Sequence, residues 1–157
     1  MEIKQINLSD SHLVIDLFNK YRVFYKQESD KKLASKFISD RLKKSESIIF
    51  VALIPDNGQI IPAGFTQLYP KYSSVRATKN WILNDLYVDA EFRKQGIGES
   101  LVKAAMEFAK GRDANFVQLE TAKDNYTAQK LYEAMGFKKQ APESDFFTYR
   151  IEVASGE

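Results

Sequence analysis

The sequence predicts an α/β (α+β) fold in which a mixed, mostly antiparallel sheet carries helices on both faces. Three observations predict it. Asn57-Gly58 separates two apolar runs, Ser47 to Ile54 and Ile60 to Tyr69, and Asn-Gly in that setting joins an antiparallel pair. Ile82 to Val88 is a short apolar run, and beyond Arg93 the residues Ile97, Leu101, Ala104, Ala105 and Phe108 recur at helical spacing, so a strand feeds a helix. The whole chain reads in the order β-α-α-β-β-β-α-β-α-β, with no repeat, low-complexity segment or linker, which predicts one domain over residues 1–157.

Residues 2–7 alternate as a short strand. A helix starts at Ser9, in the cap-like stretch Ser9-Asp10-Ser11-His12, and sets Leu13, Leu17, Tyr21 and Phe24 or Tyr25 on one face. Asp30 to Lys44 repeats the pattern with Leu33, Phe37, Ile38 and Leu42 inward. After the Asn57-Gly58 hairpin, Pro70 is expected to stop the second strand, and Lys71 to Asn80 to form a polar loop. The helix after the Ile82–Val88 strand is expected to end at Gly111 in the C′ position. Phe116 to Thr121 gives another strand. Asp124 or Asn125 then caps a helix carrying Ala128, Leu131, Tyr132 and Met135, which Gly136 closes. Phe146 to Val153 reads as a final strand, expected inside its own sheet rather than at an interface.

Lys+Arg 23 against Asp+Glu 21 leaves +2, too weak a field to recruit nucleic acid or a membrane. Lys31-Lys32 and Lys43-Lys44 are isolated pairs on solvated faces. Cysteine is absent, which excludes disulfides, thiolate catalysis and zinc-finger sites. The opening Met1-Glu2-Ile3-Lys4-Gln5 is not a signal peptide, and no apolar run reaches membrane-spanning length, so a cytoplasmic protein is expected. His12 is the single histidine, and its place at a helix start predicts a surface residue. Neither a Ser-His-Asp triad nor a histidine-built metal site has support.

The stretch that remains is chemical. Arg93-Lys94-Gln95-Gly96-Ile97-Gly98 is a basic, glycine-bearing loop that opens a helix directly after a strand. The first N–H groups of a helix are unpaired and carry partial positive charge, and the glycines let that backbone approach an anion. The loop lacks the Lys-Ser/Thr of a Walker A sequence and the third glycine of the dinucleotide fingerprint.

Arg93-x-x-Gly96-x-Gly98 after Asp85-Leu86-Tyr87-Val88 resembles motif A of the GCN5-related N-acetyltransferases (GNAT). Asn125-x-x-Ala128-x-x-Leu131-Tyr132-x-x-x-Gly136-Phe137 is similar to their motif B, and Gly64-Phe65 ahead of motif A is typical of them. The likeness spans nearly the whole chain and implies the GNAT fold, with about six to seven strands. The run from Gly64 to Tyr69 through Asn84 to Val88 resembles the diamine and polyamine acetyltransferase branch, and the small fungal histone/polyamine-type enzymes.

What the resemblance implies is an acetyl-coenzyme A-dependent N-acetyltransferase acting on the primary amine of a small molecule, with no metal, and a dimer. Arg93, Lys94, Gln95, Gly96, Ile97, Gly98, Glu99 and Ser100 would cradle the pyrophosphate. Leu86, Tyr87 and Val88 would pair their main chain with the pantetheine arm, as an added strand does. Asn125 would hydrogen-bond that arm, with Ala128 alongside and Tyr132 near the sulfur.

Acetyl transfer to an amine needs a proton acceptor, donors for the oxyanion and a proton for the departing thiolate. A phenol stays protonated at neutral pH, which suits Tyr132 as that acid. The polyamine branch carries a glutamate where this chain has Asn84, and an amide cannot serve as a base. Asp85 and Glu120, one on each central strand, are the level candidates for base or amine anchor. Asp85 is expected to face away from Asn84 unless a bulge intervenes. Tyr21, Tyr25, Glu28, Asn84 and Asp85 are the candidate acceptor-site residues, since acids beside aromatic faces suit a cationic amine. Protein or peptide acetylation, and a non-catalytic acyl-coenzyme A sensor, are the alternative readings.

Overall fold

β1 (Glu2–Gln5) runs antiparallel to β2 (Ile48–Asp56), β2 to β3 (Gln59–Ser73), and β3 to β4 (Thr78–Val88). The computed structural model that gives this arrangement describes residues 1–141 and 145–153. β5 (Val117–Gln118) adds in parallel beside Trp81 and Ile82 of β4, so among the described residues the sheet has five strands in the order β1-β2-β3-β4-β5. The chain divides into two compact units, Met1–Ala122 and Lys123–Glu157, and the sheet lies wholly in the first.

Alternation along β2 fills both faces of that sheet. Ile49, Val51 and Leu53 join Phe65 of β3 under two helices, α1 (Ile15–Phe24) and α2 (Lys31–Lys43), which contribute Leu17, Phe18, Ala34 and Ile38. On the other face Phe50 and Trp81 meet Phe108 of α3 (Ile97–Gly111) at 6.1 and 5.0 Å between ring centroids. α3 buries Ile97, Leu101, Val102, Ala105 and Ala109. A sheet covered on both faces by helices is the predicted architecture, with five strands in place of six or seven.

The Asn57-Gly58 turn is formed as expected, with both residues at positive φ, the conformation a two-residue hairpin requires. Pro70 does not stop β3. Pairing with β2 ends at Ile48↔Leu68, so from Tyr69 onward β3 has a neighbour on one side only, and a missing N–H is tolerated there. Most of the expected Lys71–Asn80 loop is instead a hairpin, in which Lys71, Tyr72 and Ser73 pair with Asn80, Lys79 and Thr78 around a tight turn. The stretch after Ser9 is a 3-10 helix, Leu8–Leu13, with Asn7 at its cap, and α1 proper begins at Ile15. In α2 Ile38 is buried, Leu42 packs against the same core and Phe37 stacks on Phe18, as expected, whereas Leu33 is exposed and Ala34 is buried instead. Gly111 is the last residue of α3, and the left-handed residue that follows is Asp113.

In the second unit α4 (Tyr126–Ala134) is capped by Asn125, whose side chain accepts the Ala128 N–H at 3.2 Å, and Gly136 ends it at positive φ. The expected strand at Phe146–Val153 is not formed. Its apolar residues Phe146, Phe147, Tyr149, Ile151 and Val153 are each at least 77% exposed, so the segment is not packed inside a sheet. A period-two segment is stable as a strand only when an edge pairs with it, and among the described residues none does.

Candidate active site

Gln67 faces Asp85, and the next pair is Leu68 with Leu83, so Asn84 is an extra residue in β4. This bulge is the condition under which alternation fails. Asn84 is exposed, Asp85 is 3% exposed, and the Asn84 amide nevertheless donates to Asp85 Oδ1 at 2.8 Å. The second carboxyl oxygen, Oδ2, accepts from Gln67 Nε2. Gln67 Oε1 in turn accepts the Ser47 hydroxyl at 2.8 Å, all of this buried. From α1 the Tyr21 hydroxyl lies between the Asn84 carbonyl, 3.5 Å away, and the Asp85 carboxyl.

Burial pushes the Asp85 carboxyl above the ordinary carboxylate range, against the opposing pull of hydrogen bonds from Asn84, Gln67 and Tyr21. Burial and the neighbouring Asp85 likewise raise both phenols. Tyr69 is pushed up to about 12, and Tyr21 further in the same direction. Both phenols therefore stay protonated at neutral pH, and Tyr21 can donate to the carboxyl group.

Tyr21 meets Phe18, Phe65 and Tyr87 inward, with ring centroids 6.2, 5.7 and 6.4 Å away, and Tyr25 outward at 5.1 Å. Phe24 and Tyr25 keep more than half their surface in solvent, so the aromatic end of α1 is core at its base and an open wall at its rim. Glu28 is exposed on the loop before α2, outside the Asp85 network, while its neighbour Asp30 caps α2 through the Leu33 N–H at 3.0 Å. Glu120 lies two residues beyond the end of β5 and is exposed. It is on no strand, because β5 pairs over two residues only. The structure thus separates two carboxylates that the sequence ranked level.

β4 and β5 part after the Ile82–Gln118 pair. On the far side Leu86 and Val88 pair with Thr66 and Gly64, and Tyr87 with Phe65. The edge of β4 that faces away from β3 is left without a strand partner among the described residues, as an added strand would require. Gly64 keeps this region tight. A Cβ there would lie 2.8 Å from the Tyr87 carbonyl oxygen and 3.3 Å from side-chain carbons of Ile97 and Leu101.

The loop itself follows from Asp89, whose side chain accepts the Glu91 N–H and caps a short 3-10 helix, Ala90–Phe92. Lys94 and Gly96 take positive φ, and Gly96 is the N-cap of α3. Ser100 is the first N–H to bond back, to the Gly96 carbonyl at 3.1 Å, so helix geometry directs the N–H groups of Gly96, Ile97, Gly98 and Glu99 off the end. A Cβ on Gly96 would meet nothing within 4 Å, so the space in front of this end is open. Arg93 Nε donates to the Val88 carbonyl at 3.0 Å, and its guanidinium lies over Tyr87 and Phe24, with 5.6 and 6.0 Å to the ring centroids. Lys94 and Gln95 are exposed beside it, and Glu99 points to Lys103 at 3.3 Å. Open N–H groups, a fixed arginine and a free approach fit a phosphate-bearing ligand.

Asn125, Ala128 and Tyr132 lie together on α4 or at its start. The Tyr132 ring packs edge-on to Phe137 at 5.8 Å, and the Phe137 N–H bonds to the Tyr132 carbonyl. The Asn-x-x-Ala and Gly-Phe features of this segment are therefore also its helix start and stop. Ser47, Gln67 and Tyr69 were not singled out as site residues from the sequence. The available signal was the polar pair Thr66-Gln67 inside an apolar strand. Among the described residues no group of acids or histidine is placed to hold a metal ion, and no helix is long and apolar enough to cross a membrane.

A family model, the Acetyltransferase (GNAT) family, matches residues 12–137. An uncharacterized N-acetyltransferase, YhfO, of Bacillus subtilis (strain 168) is 40% identical over 153 residues, which is 98% of each chain. The crystal structure of a probable acetyltransferase superposes with a TM-score of 0.84 at 36% identity, covering 99% of this chain and 100% of that one. An aminoglycoside N-acetyltransferase, AAC(6')-Iy, solved in complex with CoA, shares the fold at a TM-score of 0.74 and 18% identity, over 96% of this chain and 95% of its own.

Proposed function

This chain belongs to the acetyltransferase (GNAT) family and is an N-acetyltransferase by class, and we propose that it moves the acetyl group of acetyl-coenzyme A to a primary amine on a small, cationic molecule. One observation supports the reading: β4, which holds a buried carboxyl at its bulge, leads through residues 89–96 directly into the open N-terminal end of α3. Donor loop and proton acceptor would thus lie on one continuous stretch of chain.

Acetyl-coenzyme A brings the thioester. Gly96, Ile97, Gly98 and Glu99 would hold its pyrophosphate by their N–H groups, with the Arg93 guanidinium beside them, and the open edge of β4 at Leu86–Val88 would take the pantetheine arm. An alkyl ammonium with a pKa of ~10 is almost wholly protonated at neutral pH, so the acceptor needs a proton sink. Asp85 is that sink in this reading. Its raised basicity narrows the gap to the amine, and Asn84 occupying the polyamine-branch glutamate position leaves the site with an acid one residue on. Tyr21 and Tyr25 would line the acceptor amine. Tyr132 would return a proton to the thiolate.

Calorimetry with acetyl-coenzyme A on the intact protein and on Gly96→Glu tests the donor site, and turnover on spermidine, a free amino acid and a lysine peptide tests the acceptor. Binding that Gly96→Glu abolishes, with turnover on spermidine, is expected. Turnover on the peptide alone would replace the small-molecule reading with protein acetylation. Binding without turnover on any amine would replace it with a sensor.

A further inference from the structure

Ser47, Gln67 and Asp85 stand on three successive stretches of the sheet: the start of β2, β3 and β4. Their side chains form one continuous hydrogen-bonded row beneath α1 and α2. All three are buried, in a layer otherwise filled by Phe65, Ile49 and Val51. A buried amide has two kinds of polar atom to satisfy, and the row settles which faces which. A carboxylate only accepts, so the Gln67 NH2 must turn toward Asp85. That leaves Oε1 facing Ser47, whose hydroxyl satisfies it at 2.8 Å.

We propose that Gln67, held in one orientation by Ser47, is a positioning residue that fixes the Asp85 carboxyl at the β4 bulge and keeps it available in its ionised form. The proposal rests on the reading of Asp85 as the proton acceptor. The bulge makes such a brace necessary, because it removes Asn84 from the ladder and leaves Asp85 at a break in strand pairing. Asn84 braces the other carboxyl oxygen from an exposed position, where its amide can be drawn away by solvent, whereas Gln67 is wholly buried and cannot. The titratable groups facing Asp85 are Tyr21 from α1 and Tyr69 from β3, both protonated at neutral pH. Arg41 of α2 acts on Tyr69 and is itself paired with Glu46, and among the described residues no cation is one of the groups that shift Asp85. Neutral donors alone therefore stabilise the carboxylate, and Gln67 is the buried one whose orientation the fold enforces.

Carbon-13 NMR of the aspartate carboxyls reads this without any acceptor. The Asp85 resonance is identified by its loss in Asp85→Asn, and its titration is followed in the intact protein, in Gln67→Leu and in Ser47→Ala. Gln67→Leu is expected to move the Asp85 midpoint upward by roughly one pH unit, the effect of one lost hydrogen bond to a charged group. Ser47→Ala is expected to move it the same way by less, and it carries the test alone if Gln67→Leu does not fold. The acid limb of kcat/KM, followed as thiol release from acetyl-coenzyme A with spermidine, should move by the same amount. A purely structural Gln67 would lower the rate at every pH and leave midpoint and limb in place, which overturns the proposal. Full turnover by Asp85→Asn would instead discard the reading of Asp85 itself, and the positioning role with it.

Discussion

The Lys20 ammonium lies 2.6 Å from the Asp89 carboxylate, so α1 is tied to the residue that starts the loop before α3. Burial works to raise Asp89, but Lys20 and the Glu91 N–H outweigh it and hold the carboxyl below its ordinary range. Lys20 is raised, chiefly by the hydrogen bond to Asp89. The signs fix a window. The Asp89 contribution is present above the unfolded value of 3.8 and is lost as pH falls through the lowered one. The Lys20 contribution is present below 10.5 and is lost as pH rises through the raised one.

Lys20→Ala should therefore cost about 1 kcal/mol or less at neutral pH, because its side chain is half in solvent. Asp89→Ala loses the cap as well and should cost about 1–2 kcal/mol. Urea denaturation at pH 7 compares them, and equal losses would mean that the cap contributes nothing.

Gly64→Ala should destabilise the first unit by roughly 1–3 kcal/mol, since the new methyl would meet backbone oxygen of Tyr87 at 2.8 Å. The same methyl presses on Ile97 and Leu101, so the start of α3 must shift, and acetyl-coenzyme A affinity should fall although the substitution is outside the loop. Thermal melts and calorimetry on one sample check both. Loss of stability with unchanged affinity would separate the packing seam from the loop.

Asp85→Asn should lower kcat/KM about 10²–10⁴-fold while acetyl-coenzyme A still binds. In the intact enzyme the acid limb of the rate profile should lie above the ordinary aspartate value of 3.8, following the burial of the carboxyl. Stability should move the opposite way. A folded-state pKa above the unfolded one favours the intact protein over Asp85→Asn at acid pH, and this advantage fades as pH rises through the raised value. Denaturation of the pair from pH 3 to pH 8, a range chosen to bracket carboxyl titration, measures it. A difference that grows with pH would contradict the direction given.

Tyr132→Phe should keep acetyl-coenzyme A binding and the Phe137 packing, and lower turnover by about 10²-fold or more. Unchanged turnover would leave the phenol a packing group.

Much of the fold was legible because local chemistry dictated it. Asn57-Gly58 supplies the two positive-φ residues that its hairpin needs, and Asn125 and Gly136 mark both ends of α4. The β3–β4 hairpin was missed because its turn, Ser74 to Ala77, carries neither glycine nor asparagine. Ala77 takes the positive φ instead. The anion loop was readable from one segment alone. The proposed proton acceptor was not, because preferring Asp85 to Glu120 rests on a bulge and on Gln67, neither of which shows in the spacing of residues 82–88.

The β3–β4 hairpin also offers a handle. Its tip residue, Val75, is 99% exposed, and the chain contains no cysteine, so Val75→Cys would be the single thiol in the molecule. One dye or spin label could be attached there with no competing thiol to remove first. Because the ribbon below it is continuous with the strands that hold Gln67 and Asp85, such a label would report when that end of the sheet bends.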